Sequence, residues 1–444
     1  MNTTTSSPLT RLITRIAPVE PREVGAVLAA FFLFFFMWAG YFSVRPVRET
    51  VGTLLGRQAV ADLWLYTSAF SILIIPIYGA VVARFKRSTF LPWTYGIVAV
   101  ALAGVGLLLD PAQFNPTLGK AFYVFISVVN LFLLSMFWSF LLEIFDKAQT
   151  KRLFGVIAAG GSAGALAGPL LSDLTVTTIG EAGILFVAAA MFLMAIVCQR
   201  VLLSGWARQP GSEAADNRPI GGNVFAGVTL ILKSPYLLGI ALFIVGISAV
   251  STVLYFEQLR IVADTFATPT ERTRVFARID WIVQSLTVVT QVFLTGRVAA
   301  RFGVTTLLTL VPILMVAAFA GLAGYTTFTL FAAVFILRRA GEYAFVRPGR
   351  EMLWSPLDKE TKYKAKSTID VPVYRGADYV GGQVTVGLTS LGVSPNGMMA
   401  VGAVIAAAWA VVGWWLGRKF EGGASPQERE REASEVGGAA PQRS

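Results

Sequence analysis

Nine arginines and seven carboxylates fall in or at the ends of stretches apolar enough to cross a bilayer. They are Arg45, Arg48, Arg260, Arg278, Arg338, Arg339, Arg347, Arg350 and Arg375, set against Glu49, Glu257, Asp280, Glu342, Glu351, Asp370 and Asp378. A charge at the centre of a membrane helix costs about 2.5 to 3.5 kcal/mol on insertion scales, so each needs a reason to be there. Counting along the helical rise puts Arg338 and Arg339 about 18 Å deep, near the midplane, and Arg375 about 12 Å deep. The guanidinium fork presents five donors in a plane that matches phosphate or carboxylate oxygens bidentately, and it stays charged. Part of the set can be structural, because Arg45 and Glu49, Arg338 and Glu342, and Arg347 and Glu351 are each four residues apart, on one helix face. Pairing leaves a surplus of two positive charges, and a cavity holding uncompensated arginines attracts an anion.

The chemistry open to the rest of the chain is narrow. Its 444 residues contain no histidine and one cysteine, Cys198, in an apolar segment that suits a small buried hydrophobe. That composition excludes an internal disulfide and a zinc cluster. No metal and no cofactor is expected, and any proton coupling must use Asp or Glu. No Gly-rich G-K-[ST] phosphate loop is present, so nucleotide hydrolysis is not expected and the chain is read as a non-enzyme.

One motif recurs. Residues 41–49 read YFSVRPVRE and residues 343–351 read YAFVRPGRE, so Y-x-x-V-R-P-x-R-E is spelled twice, each time at the end of an apolar segment. Pro46 and Pro348 each remove a helix hydrogen bond and allow a kink. The repeated motif suggests two gates, each closed by pairing with acids of the other half of the chain, with substrate anions competing for the arginines.

These residues are positioned by an integral membrane protein. Charged residues make up 14% of the chain and hydrophobic ones 55%, and the mean hydropathy is +0.65. Spans need about 20 mostly apolar residues, which gives twelve candidates, near 23–46, 60–83, 90–109, 119–144, 153–175, 181–203, 234–257, 275–296, 303–323, 326–346, 367–391 and 396–417. The first run is too long for a signal-peptide core and reads as a retained span. Basic residues gather before the first span and in the loops after the second, fourth, sixth, eighth and tenth, among them Arg84, Lys86, Arg87, Lys147, Lys151, Arg152, Arg208, Arg218, Arg297, Arg301, Lys359, Lys362 and Lys364. By the positive-inside rule both termini are expected in the cytoplasm and the protein in the cell (inner) membrane. The net charge of +11 therefore reflects topology rather than nucleic-acid binding.

The expected domains are a cytoplasmic arm or interfacial helix at 1–22, an N-terminal six-helix bundle at 23–204, a cytoplasmic linker at 205–229, a C-terminal six-helix bundle at 230–420 and a disordered tail at 421–444. The arm places Leu9, Leu12, Ile13 and Ile16 on one helical face. An internal repeat supports two halves. GAVVARFKR from Gly79 matches GRVAARFGV from Gly296, and DKAQTKR from Asp146 matches DKETKYK from Asp358. The architecture resembles the major facilitator superfamily, whose cytoplasmic signature is present in degenerate form, with Ala83 and Ala300 in place of its acid. That resemblance implies all-α pseudo-symmetric halves, with spans one, four, seven and ten around a central cavity. Span five carries Gly155, Gly164, Gly168 and Pro169, which fits close helix packing and also resembles an antiporter motif of the superfamily. In that motif a Gly pair stands where this chain has Ser172 and Asp173.

The most specific resemblance is carried by residues 350–382, REMLWSPLDKETKYKAKSTIDVPVYRGADYVGG. Glu351, Met352, Pro356, Leu357, Asp358, Lys364, Lys366, Ile369, Asp370, Val371, Arg375, Gly381 and Gly382 match the region around the tenth and eleventh spans of the bacterial and plastid ATP/ADP translocases. Residues 137–161 and the Arg45, Arg48 pair are also similar to that family. The resemblance implies secondary transport by exchange of a small phosphorylated anion, nucleotide-like but not necessarily ATP. The partners expected are that solute and the lipid bilayer, with a monomeric protein. Arg45, Arg48, Arg338, Arg339, Arg347, Arg350, Lys366 and Arg375 are the expected substrate-binding residues. Glu49, Glu143, Glu257, Arg278, Asp280, Glu342, Glu351, Asp370 and Asp378 are the expected coupling or gating residues. Two other readings stay open: a proton-coupled transporter of another organic anion, using Glu143, Glu342, Asp280 or Asp370, and a lipid or lysophospholipid flippase.

Overall fold

The computed structural model describes residues 19–84, 87–109, 113–206 and 226–422, and for 74–84, 87–89, 131, 147, 226, 227, 359, 360 and 363 it describes the backbone only. The arm at 9–16, the side chains around Arg84, residues 207–225 of the expected linker and residues 423–444 of the expected tail lie outside the described residues.

The described chain is helical. The helices are α1 (Val24–Leu55), α2 (Arg57–Arg84), α3 (Arg87–Leu108), α4 (Pro116–Ile144), α5 (Lys147–Gly205), α6 (Ala226–Lys233), α7 (Pro235–Thr265) and α8 (Pro269–Thr290), followed by α9 (Gly296–Gly324), α10 (Phe328–Gly341), α11 (Arg347–Met352), α12 (Lys359–Thr368), α13 (Tyr374–Ser390) and α14 (Pro395–Glu421). Among the described residues, three π-helical turns interrupt this series: π1 (Gln291–Thr295), π2 (Glu342–Val346) and π3 (Ile369–Val373). Seven helices in the described residues are long and apolar enough to cross a membrane. Two of them, 58 and 56 residues long, exceed the roughly 20 residues that one crossing needs. Each contains a glycine with positive φ, Gly180 at 67° and Gly303 at 77°, where an L side chain would be strained, so each divides into two rods.

The repeated Asp-Lys loops have a local cause. Asp146 accepts from the backbone N–H groups of Ala148 and Gln149 while the Gln149 amide oxygen accepts from the Asp146 N–H, a capping box that starts α5. Asp358 accepts from Thr361 N–H at 2.9 Å and starts α12.

The chain folds as two compact units. The first is Met1–Gly221 with Leu259–Ser285, and the second is Gly222–Gln258 with Leu286–Ser444. In the first unit α1 lies against α5 with almost no side chain between them. A Cβ on Gly160 or Gly164 would stand 2.3 Å from the Phe31 or Phe35 carbonyl oxygen, and one on Gly168 would stand 2.5 Å from that of Ala39. Close packing therefore accounts for Gly164 and Gly168, whereas Gly155 has nothing within 4 Å. The Phe34 ring of α1 lies over Gly161 of α5 and stacks 3.9 Å from the Phe137 ring of α4. The start of α1 is tied to the start of α5, where Arg152 donates through both terminal nitrogens, each at 2.7 Å, to the buried Glu23.

In the second unit α9 packs on α14 in the same way, since a Cβ on Gly417 would meet Thr305 at 2.5 Å and one on Gly402 would meet the Phe319 ring at 2.5 Å. Glu421 at the end of α14 accepts from the Thr305 N–H at 3.0 Å and from its hydroxyl at 2.7 Å, which fixes the rod that restarts after Gly303.

Candidate functional site: two arginine and carboxylate networks

The second unit holds one network, and its backbone explains its geometry. Pro348 has no N–H to give the Ala344 carbonyl four residues back. In π2 the Arg347 N–H bonds the Glu342 carbonyl five residues back, which frees the Tyr343 carbonyl as well. Both orphaned carbonyls are satisfied from π1: Thr295 donates its hydroxyl to Ala344 O at 2.7 Å, and Gln291 donates its amide to Tyr343 O at 3.0 Å.

The same five-residue register turns the side chain of Arg347 onto Glu342, with Nε and Nη2 each 3.2 Å from Oε1. Arg338 reaches the other oxygen, Nη1 to Oε2 at 3.1 Å, as its four-residue spacing predicts. The expected pairing of Arg347 with Glu351 is thereby overturned, because a π turn places residues five apart on one face. Glu351 is instead paired with Arg350 at 3.2 Å and with Lys366, and Asp370 lies 3.7 Å from Arg350.

Arg338, Arg339 and Glu342 are buried, at 6%, 5% and 6% exposure. Arg338 also donates to the Ser251 hydroxyl on α7, yet its Nε–H is buried with no hydrogen-bond partner. The Arg339 guanidinium lies 5.6 Å from the Phe335 ring, and that of Arg347 lies 4.3 Å from the Tyr343 ring. On α13, Asp378 accepts from the Ser248 hydroxyl at 2.6 Å and stands 3.7 Å from Arg375. Glu257 is buried on α7, and Glu143 is half-buried near the end of α4 in the first unit.

The first unit holds a second network where the C-terminal part of α1, the stretch of α5 before Gly180 and the first turns of α8 meet. Arg45 places Nη1 between the two carboxylate oxygens of Asp280, at 3.1 and 3.2 Å, and its Nε is 3.8 Å from Glu49. Arg48 pairs with Glu49, donates to Ser127 at 3.2 Å and lies 5.3 Å from the Tyr123 ring. Arg278 donates Nε and Nη2 to Asp173 at 3.2 and 3.1 Å, and Arg274 and Trp281 add bonds of 3.3 and 3.0 Å. Thr50 and Thr273 hydroxyls meet at 2.7 Å, and Arg272 reaches Thr53 at 3.2 Å. The hairpin before α8 is closed by a reciprocal cap, Thr268 N–H to Glu271 and Glu271 N–H to the Thr268 hydroxyl. These cap bonds hold the exposed Glu271 carboxyl below its ordinary value.

The two copies of the repeated motif thus behave differently. The first pairs as the motif suggested, Arg45 with an acid of the C-terminal sequence repeat. The second pairs only inside its own repeat, through Glu342, Glu351 and Asp370, because π2 brings Glu342 under Arg347. α1 runs as one helix through Pro46. Sequence reasoning missed Asp173, read only as a departure from a glycine pair. It also missed the hydroxyls of Ser248 and Ser251, whose spacing of three on α7 was the signal available.

No family model matches the chain. Its sequence is 25% identical over 487 residues to ADP,ATP carrier protein 1 of Chlamydia muridarum (strain MoPn / Nigg), spanning 94% of this chain and 91% of the relative. ADP,ATP carrier protein 2 of Chlamydia trachomatis serovar D is 21% identical over 489 residues, spanning 91% and 90%. Among solved structures, the nucleoside transporter NupG is similar with a TM-score of 0.61 at 13% identity, covering 89% of this chain and 98% of that one. The POT family transporter PepTSo is similar with a TM-score of 0.62 at 14% identity, covering 92% and 100%. The chain shares its fold with these two solved transporters. The chain is a multi-pass membrane protein that resembles ADP,ATP carriers along almost its whole length.

Proposed function

We propose that this protein is a secondary transporter that exchanges phosphorylated, nucleotide-like anions across the inner membrane. The observation that carries the reading is the triad of Arg338, Glu342 and Arg347, in which Arg338 and Glu342 are buried and Arg347 is about half exposed. One carboxylate is loaded by two guanidiniums, with the Nε–H of Arg338 left over in a buried site. An unpaired buried donor costs about 1 to 3 kcal/mol. A phosphate oxygen would remove that cost and would displace Glu342 from donors that suit it equally well. The half-buried Tyr343 ring that Arg347 lies against is an aromatic surface on which a base could stack. The similarity to ADP,ATP carriers supports a nucleotide as the solute.

In this reading twelve spans form two six-helix halves with both termini cytoplasmic, and the protein acts as a monomer. Arg338, Arg339, Arg347 and Arg375 serve the central site, and Arg350 and Lys366 serve its cytoplasmic mouth, where Glu351 and Asp370 hold them. Arg45, Arg48, Glu49, Arg278 and Asp280, joined by Asp173, form a gate within the first unit. Alternating access then follows from competition, because phosphate arriving at the arginines weakens their hold on the carboxylates.

A thermal-shift panel on the purified protein tests the reading, with nucleotides, inorganic phosphate, phospho-sugars and lysophospholipids as ligands. Stabilisation by nucleotides that disappears in Arg338→Ala and Arg347→Ala is expected. Stabilisation by lysophospholipids or unphosphorylated carboxylates alone would overturn it.

A further inference from the structure

A cavity of about 1260 Å³ lies in the first unit among α2, α3 and α4, and it shares no residue with the two networks above. α2 and α3 each pack on α4, which forms its floor. Tyr66 and Phe70 of α2, Phe90 and Ile97 of α3, and Phe125 and Phe132 of α4 line it. Tyr66, Phe70 and Ile97 are 56%, 49% and 62% exposed, so the cavity opens sideways as a groove, toward the bilayer. Pockets for drug-sized ligands run to about 300–1,000 Å³. Left empty, a groove of this size forfeits dispersion contacts along three helices whose association depends on packing.

The groove is polar at one end. Trp64 donates to the Tyr123 hydroxyl at 3.1 Å, which sets the early turns of α2 and α4 side by side. The charged lining residues stand there, Asp62 on α2 and Lys120 on α4, with Gln58 donating its amide to Asp62 at 3.1 Å. Beyond them the lining is aromatic and aliphatic apart from Thr94, whose hydroxyl is engaged by the Phe90 carbonyl and the Met136 sulfur. From Lys120 to Phe132 the helical rise covers about 18 Å, close to half of the roughly 30 Å hydrocarbon core of a bilayer. One polar end followed by an apolar length of a single leaflet matches a membrane lipid. A nucleotide, polar along its whole length, would leave most of its hydrogen-bonding groups unpaired on these walls.

The charges select the headgroup. Lys120 attracts a phosphate, whereas Asp62 repels a headgroup of net negative charge and attracts an ammonium. We propose that this groove binds a zwitterionic membrane phospholipid, its phosphate at Lys120, its ammonium at Asp62 and its acyl chains laid along α4 between α2 and α3. The bound lipid fills the space that separates α2 from α3 and fixes both on α4.

The test uses full-length protein in phosphatidylethanolamine vesicles that carry a trace of phosphatidylethanolamine with a photoreactive diazirine in its acyl chain. Adducts are mapped by peptide mass spectrometry after illumination, with the exposed Val404 and Val411 of α14 as the reference for ordinary bilayer contact. Labelling at Tyr66, Phe70, Phe125 and Phe132 is expected to exceed the reference several-fold and to fall to it in Ala121→Trp, which puts a ring into the groove from an exposed position. Ile97→Trp fills the same groove from α3 and should do likewise if Ala121→Trp does not fold. A phosphatidylglycerol or diacylglycerol probe with the same chains should label the groove several-fold less, and Lys120→Gln should erase the preference over diacylglycerol. Groove labelling no higher than the reference, equal labelling by all three probes, or labelling that survives a folded groove-filling variant overturns the proposal. So does a dimer cross-linked through Lys120 without lipid adducts, which would assign the groove to a second copy of the chain.

Discussion

Asp173→Asn tests the proposed gate among α1, α5 and α8. The substitution keeps the shape of the side chain and removes its charge. In the wild type this carboxylate accepts four hydrogen bonds, three from Arg274 and Arg278 and one from the Trp281 ring N–H. Hydrogen bonds to charged groups contribute about 1.5 to 3 kcal/mol against about 0.5 to 1.5 for neutral ones. That difference amounts to about 1 kcal/mol for each guanidinium. The arginine side chains are 47% and 51% exposed, so solvent screening keeps the total to about 1 to 2 kcal/mol. A loss of that size shifts the ratio of closed to open gate by a factor of roughly 5 to 30. Thr50 meets Thr273 at 2.7 Å inside the same gate. A Thr50→Cys reporter, in a background with Cys198 replaced, should therefore react with a membrane-impermeant maleimide roughly 5 to 30 times faster when Asp173→Asn is added. An unchanged labelling rate, with the melting temperature also unchanged, would refute the gate.

Other consequences follow from particular contacts. Glu342→Ala leaves the buried Arg338 without its counter-ion and should lower stability by about 3 to 5 kcal/mol, read as a large drop in melting temperature in detergent; a melting temperature within a degree or so of wild type would show that Arg338 and Glu342 are not the buried pair described. Gly164→Leu drives a side chain into the Phe35 carbonyl, where even a Cβ would sit at 2.3 Å, and should cost at least about 1 to 3 kcal/mol, whereas Gly155→Leu meets open space and should be tolerated. Because capping holds the Glu271 carboxyl below its ordinary value, its contribution is complete above about pH 4.3 and is lost as pH falls through the depressed folded value. Acid melting curves of wild type and Glu271→Gln should converge below that range, and a gap that persists at low pH would contradict the cap.

The sequence exposed the parts of the protein that obey simple periodic rules. The long apolar helices, the glycine stripe of α5 and the paired Asp-Lys caps are local patterns, and each has the physical cause its residue types imply. The glycine turns at 180 and 303 fall where successive candidate spans were divided. The polar helices were harder to read by composition, because α10 to α13 carry the charges of the network and are broken by π2 and π3. Those π turns decide the pairing of the second motif copy. A spacing of four pointed Arg347 at Glu351, and the π register delivered it to Glu342. Nothing in the residue types around 342–346 announces a π turn except Pro348 downstream, which also occurs as Pro46 in a helix that continues. Asp173 escaped notice because its partners lie about a hundred residues away on α8, and pairing at that separation is set by helix packing rather than by spacing.

The most direct test of the central claim is counterflow. Labelled ADP is offered to vesicles loaded with ATP or left empty, with wild-type protein, Arg338→Ala, Arg347→Ala and Glu271→Gln. Uptake that depends on internal ATP is expected for wild type and Glu271→Gln. Losing one charge-assisted phosphate contact, worth about 1.5 to 3 kcal/mol, should reduce exchange roughly 10- to 100-fold in each arginine variant. Nucleotide exchange that proceeds equally well without Arg338 and Arg347, or wild-type protein that exchanges no nucleotide, would contradict the account.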